Sequence, residues 1–125
     1  MEPGQTRQYS AEQIASELTK RGDEWAEADY TARLLEDTEK TLLAKLTIRY
    51  MDEIQENGKK RSAAESEARA MASIEYQGHI EMRAQAKRNA NKARVAYDTM
   101  RSFSELWRTE QSSLRTEIQS MSRTK

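Results

Sequence analysis

The chain has 125 residues, a single small domain's worth, with no cysteine, one histidine and a formal net charge of zero. That excludes disulfides and cysteine-based metal sites. Hydrophobic residues (36%) barely outnumber charged ones (34%) and mean hydropathy is −1.02, too polar for several buried layers but suited to long helices with a narrow apolar stripe.

The zero net charge hides a division. Residues 1–57 carry 7 Lys/Arg and 13 Asp/Glu, net −6, while residues 58–125 carry 14 and 8, net +6. The opening MEPGQTRQY has no apolar run, so residues 1–9 read as a flexible terminus and no secretory leader is expected. No 18-residue apolar stretch occurs, so no membrane span is expected and the cytoplasm is the expected location.

The first helix start is YSAEQI. Ser10 and Gln13 can form a capping box, with Tyr9 and Ile14 at staple positions. A short N-terminal helix is predicted over 10–21, ended by Gly22, and Asp23 offers a second start for a long helix over 23–56. ENGKKRS is the clearest break. Gly58 enters the left-handed conformation without steric cost, and the lysines and arginine suit the negative end of a helix dipole. SAAE, Ser62 with Glu65, starts a second long helix over 62–118, leaving 119–125 as a tail. Gly78 inside it is tolerable at about 1 kcal/mol against alanine.

Trp25, Ala28, Ala32, Leu35, Leu42 and Leu46 keep 3/4 spacing, with Glu39 as the one polar member. Met82, Ala86, Asn89, Ala93, Ala96, Met100, Phe103 and Trp107 do the same in the second half. Two such stripes joined by a short turn predict a long antiparallel helical hairpin, coiled-coil-like and all-α.

Residues 82–97, MRAQAKRNANKARVAY, hold Arg83, Lys87, Arg88, Lys92 and Arg94 and no acid, net +5. Phosphate binding is the usual function of such a footprint, and Arg101 extends it. Lys87, Arg94, Arg101, Arg108 and Arg115 also recur every seven residues, a row about 42 Å long on a helix. Asp98 and Glu105 stand between its later members and can neutralise them as i,i+3/i+4 pairs, each contributing about 0.2–0.5 kcal/mol. A hairpin turning at 57–61 places 23–39 beside 80–96. Seven acids fall there: Asp23, Glu24, Glu27, Asp29, Glu36, Asp37 and Glu39. The favoured expectation is therefore internal pairing of the two strips, with contact to nucleic acid or an acidic partner as the alternative. The acidic strip could also imitate the phosphate row of DNA; a solvated face is the plainer expectation.

His79 lacks companions at ligand spacing and reads as a surface or seam residue, with Glu75 four positions earlier as a partner. No phosphate loop, nucleophile motif or di-metal carboxylate set occurs, so neither catalysis nor a metal or other cofactor is expected. Phe103, Trp107, Leu114, Ile118 and Met121 form a stripe beyond the reach of the 23–56 helix. Either the 10–21 helix or a second copy of the chain covers it, with Trp107 as anchor.

The stretch MRAQAKRNANKARVAYDTMRSFSELWRTEQSSLRTE, residues 82–117, resembles small all-helical proteins that bacteriophages encode among their recombination and early genes. The basic Ala/Asn-rich helix running into LWRTEQ carries the similarity. The resemblance implies a bacterial cytoplasm and either a helper of DNA recombination or an inhibitor of a host defence such as CRISPR. The function expected is non-enzymatic: an interaction protein, itself a homodimer, that occludes a protein of nucleic-acid metabolism or host defence. A nucleic-acid-binding accessory and a self-associating coiled-coil scaffold are the alternatives.

Overall fold

The computed structural model describes residues 9–123. It holds three helices: α1 over Ala11–Asp52, α2 over Ala63–Met71 and α3 over Ile74–Arg123. The expected all-α hairpin of two long helices is what forms. The short helix is α2, between the long pair, and not a separate element over 10–21.

α1 begins as its sequence predicts. Ser10 N–H donates to Gln13 Oε1 (2.9 Å), and Gln13 N–H donates back to Ser10 Oγ (3.1 Å). Gly22 does not interrupt the helix: its Cα lies against the Tyr97 ring, where an added Cβ would be 3.6 Å from the nearest carbon. The propensity cost of glycine, about 1 kcal/mol, yields to packing along a 42-residue helix.

α1 ends at Asp52, four residues earlier than the sequence predicts. Asn57 and Gly58 are the tip of a small turn beyond the helix instead of its C-terminus. Gly58 has φ +76°, Lys59 N–H donates to Asn57 Oδ1 (2.9 Å), and Ile54 bridges Lys60 in antiparallel fashion. Arg61 turns back to cap α1, donating to the Tyr50 carbonyl (3.3 Å).

The second predicted helix is broken after Met71. Ser73 does two jobs there: its hydroxyl donates to the Ala70 carbonyl at the end of α2 (2.6 Å) and accepts from Tyr76 N–H at the start of α3 (3.1 Å). At the far end α3 continues through the predicted tail to Arg123. The flexible terminus expected over 1–9 lies, but for Tyr9, outside the described residues.

Backbone contacts divide the chain into two compact units, and α1 and α3 run through both. One is Ala26–Asn91; the other joins the residues up to Trp25 with those from Lys92 onward. In the first, Leu46, Ser66, Ala70, Ala86 and Ala90 are buried. In the second, Ile14, Met100 and Ser104 are buried, Trp25 packs on Tyr97 (ring centroids 5.5 Å), and Tyr9 meets Phe103 edge-on (5.4 Å). In each unit α1 and α3 pair antiparallel, as Leu35 with His79 and Arg21 with Ala96 show.

Candidate interaction surfaces

The α1 stripe lies where its spacing predicts: Trp25, Ala28, Ala32, Leu35, Glu39 and Leu42 are half-buried and Leu46 buried. On α3 the stripe is turned by one position at four of its eight members, Met82, Asn89, Ala96 and Phe103, the last two of which stay half-buried. Met82 is 59% exposed and Asn89 is exposed, while Arg83 and Ala90 point inward. The inward series on α3 is therefore 79, 83, 86, 90, 93, 97, 100, 104 and 107, a regular 4/3 alternation.

That shift puts a polar cluster in the seam of the 26–91 unit. Glu39 Oε1 accepts from the Tyr76 hydroxyl (3.0 Å) and Oε2 pairs with Arg83. The Glu39 side chain is 17% exposed and that of Arg83 38%. His79 Nε2–H donates to the Leu35 carbonyl (2.7 Å), which fixes it as a seam residue. Glu75, four positions earlier, pairs with Arg49. The hydrogen bond to the Glu39 carboxylate raises the Tyr76 pKa above 10.0, because only the neutral phenol can donate. Sequence spacing marks Glu39 as a polar interruption of an apolar stripe, and the rotation of α3 supplies its partners.

The charged strips are not zipped together. Among the described residues Glu39–Arg83 is the one ion pair joining the seven acids to the basic set, and Asp29 pairs within its own helix with Arg33 (2.9 Å). Asp23, Glu24, Glu27, Glu36 and Asp37 are exposed. So are Lys87, Arg88, Lys92, Arg94 and Arg101, with Arg88 held to Gln85 Oε1 (2.7 Å). Lys87 and Glu36 line one cleft with Asp29, Arg33 and Arg83, yet Lys87 and Glu36 form no ion pair with each other. The expectation that internal pairing consumes the basic strip is corrected. Lys87, Arg94 and Arg101 flank the seam at exposed positions, where hydration competes with a pair that gains about 0–1 kcal/mol, and Arg88 and Lys92 lie farther round the helix, away from α1. Nor do Asp98 and Glu105 form ion pairs with the arginines around them among the described residues.

Phe103 and Trp107 are half-buried, whereas Leu114 and Ile118 are exposed (50% and 65%). Residues 10–21, being the start of α1, leave those two uncovered. A separate feature that spacing did not reveal is Tyr50, ringed by Arg49, Arg61 and Arg69 with guanidinium carbons 5.9, 5.8 and 5.5 Å from its centroid.

Among the described residues no group of three His, Asp or Glu side chains is placed to hold a metal ion, and no helix is long and apolar enough to cross a membrane. Comparisons with protein-family models, curated proteins and solved structures gave no match.

Proposed function

We propose that this chain is a non-enzymatic interaction protein that acts by laying charged helix faces against a protein of nucleic-acid metabolism or host defence and occluding it. The observation that supports this is the state of the two strips. Five basic and five acidic side chains that could neutralise one another are left exposed. Exposed charge of both signs, on a chain whose net charge is zero, suits a partner with complementary patches, where it would set orientation and association rate. It suits a polyanion less, since Asp29 and Glu36 line the same cleft as Lys87 and would repel phosphates within a Debye length. The phage resemblance of residues 82–117 agrees with this reading.

A nucleic-acid-binding accessory is the second reading. The acid-free run of residues 82–97 favours it, because Lys87, Arg88, Lys92 and Arg94 are all exposed along it. Titrating labelled single- and double-stranded DNA at about 50 and 200 mM salt separates the two. Contacts to 6–10 phosphates would lose about 10³–10⁵ in affinity across that range. The favoured reading expects binding weaker than micromolar even at the lower salt. Micromolar binding with a steep salt slope, abolished by K87E/R88E/K92E, would replace it with the second.

A further inference from the structure

We propose that the C-terminal third of α3 is a parallel two-stranded coiled-coil site for a second copy of this chain. The seam that α3 shares with α1 does not stop where α1 does. α1 begins at Ala11, and Tyr9 just before it reaches Phe103, whereas α3 runs on for 16 residues past Trp107, about 24 Å of helix. Within the unit that contains this stretch, the inward series Ala93, Tyr97, Met100, Ser104 and Trp107 continues on the same 4/3 alternation through Gln111, Leu114 and Ile118. The first part of that series is covered. Leu114 and Ile118 are not.

In heptad terms Ser104, Gln111 and Ile118 occupy a, Trp107 and Leu114 occupy d, Arg108 and Arg115 occupy e, and Glu110 and Glu117 occupy g. Ser104 is already covered within the chain; in the uncovered stretch Ile118 at a with Leu114 at d favours two parallel strands, and Gln111 is the polar a residue there that fixes register.

Charge then selects the orientation. In a parallel pair g faces e of the following heptad, so Glu110 of one copy meets Arg115 of the other, twice per dimer. In an antiparallel pair e faces e and g faces g, setting arginine against arginine and glutamate against glutamate. Neither Glu110 nor Arg115 forms an ion pair among the described residues. A second α3 brings a matching leucine and isoleucine to bury against Leu114 and Ile118.

Sedimentation equilibrium of the full chain, from about 5 to 200 µM, tests this. The mass should rise from 14.5 kDa towards twice that, and L114D/I118D should remain monomeric while circular dichroism shows the helices retained. A chain that is monomeric throughout, or a double variant that dimerises as well as the parent, overturns the site. Charge reversal reports orientation. E110R and R115E alone should each weaken the dimer about 3- to 10-fold, since two attractive contacts become repulsive, and E110R/R115E together should restore it. Single reversals that strengthen the dimer would overturn the parallel arrangement in favour of the antiparallel one.

Discussion

Glu39→Ala is the most informative single change in the seam. The substitution removes the acceptor of the Tyr76 hydroxyl, a hydrogen bond to a charged group that contributes about 1.5–3 kcal/mol. It also removes the pair with Arg83, whose side chain is 38% exposed, so solvent screening limits that contribution to about 0–1 kcal/mol. Lost methylene packing at a side chain 17% exposed adds about 1 kcal/mol. The expected loss is about 3 kcal/mol, a large part of a typical 5–15 kcal/mol total. Urea denaturation followed at 222 nm, at one fixed chain concentration, measures it. Double-mutant cycles with Y76F and with R83M apportion it. The phenol coupling should exceed the guanidinium coupling. A loss under about 1 kcal/mol would refute the reasoning, as would a larger coupling to Arg83.

The same hydrogen bond has a pH signature. The folded Tyr76 pKa lies above its ordinary 10.0, so its stabilising contribution is complete below pH 10.0 and is lost as pH rises through the folded value. Urea midpoints should therefore fall more steeply above that pH in the wild type than in Y76F. Gly78→Ala should raise stability by about 1 kcal/mol, since nothing lies within 4 Å of the added Cβ. Gly58→Ala, equally unobstructed but at φ +76°, should lower it by about 1 kcal/mol. Thermal melts of the two variants should shift in opposite directions. Ser66 is fully buried and its hydroxyl has no hydrogen-bond partner among the described residues, so Ser66→Ala should be neutral or stabilise by up to about 2 kcal/mol in urea titrations. K87E/R88E/K92E should leave the melting temperature within about 2 °C of the parent, in keeping with surface substitutions; a large drop would revive internal pairing of the strips.

Local signals made much of the fold readable from sequence. The serine caps at Ser10 and Ser62 and the turn at Asn57-Gly58 depend on a few adjacent residues, and each is present. The α1 stripe was readable because its members are apolar apart from Glu39. Gly22 is misleading in the sequence because its intrinsic penalty is local, whereas the Tyr97 ring that packs on it comes from the other end of the chain. The break at Ser73 sits in an alanine-rich stretch, without glycine or proline. The acid at Glu75 is one position short of the capping-box site, which Tyr76 occupies. On α3 an apolar template preferred Met82 over Arg83, yet the guanidinium belongs inside because Glu39 awaits it. The strips were harder still. Helical spacing shows which charges share a face, but whether two exposed side chains close an ion pair depends on small differences between hydration and contact.

The alanines of the seam have a consequence for how the 26–91 unit opens. At one end of it Leu46, Ser66 and Ala70 are almost wholly enclosed, with Leu46 at 2% exposure. Further along, the inward positions are Ala28, Ala32, Ala86 and Ala90, and each shields far less apolar surface than a leucine would. Amide protons beside the alanines should consequently exchange with solvent deuterium through partial opening, well before those around Leu46, which await the unfolding of the whole unit. The stretch that bears Lys87 and Arg88 would then loosen while the end anchored around Leu46 stays intact.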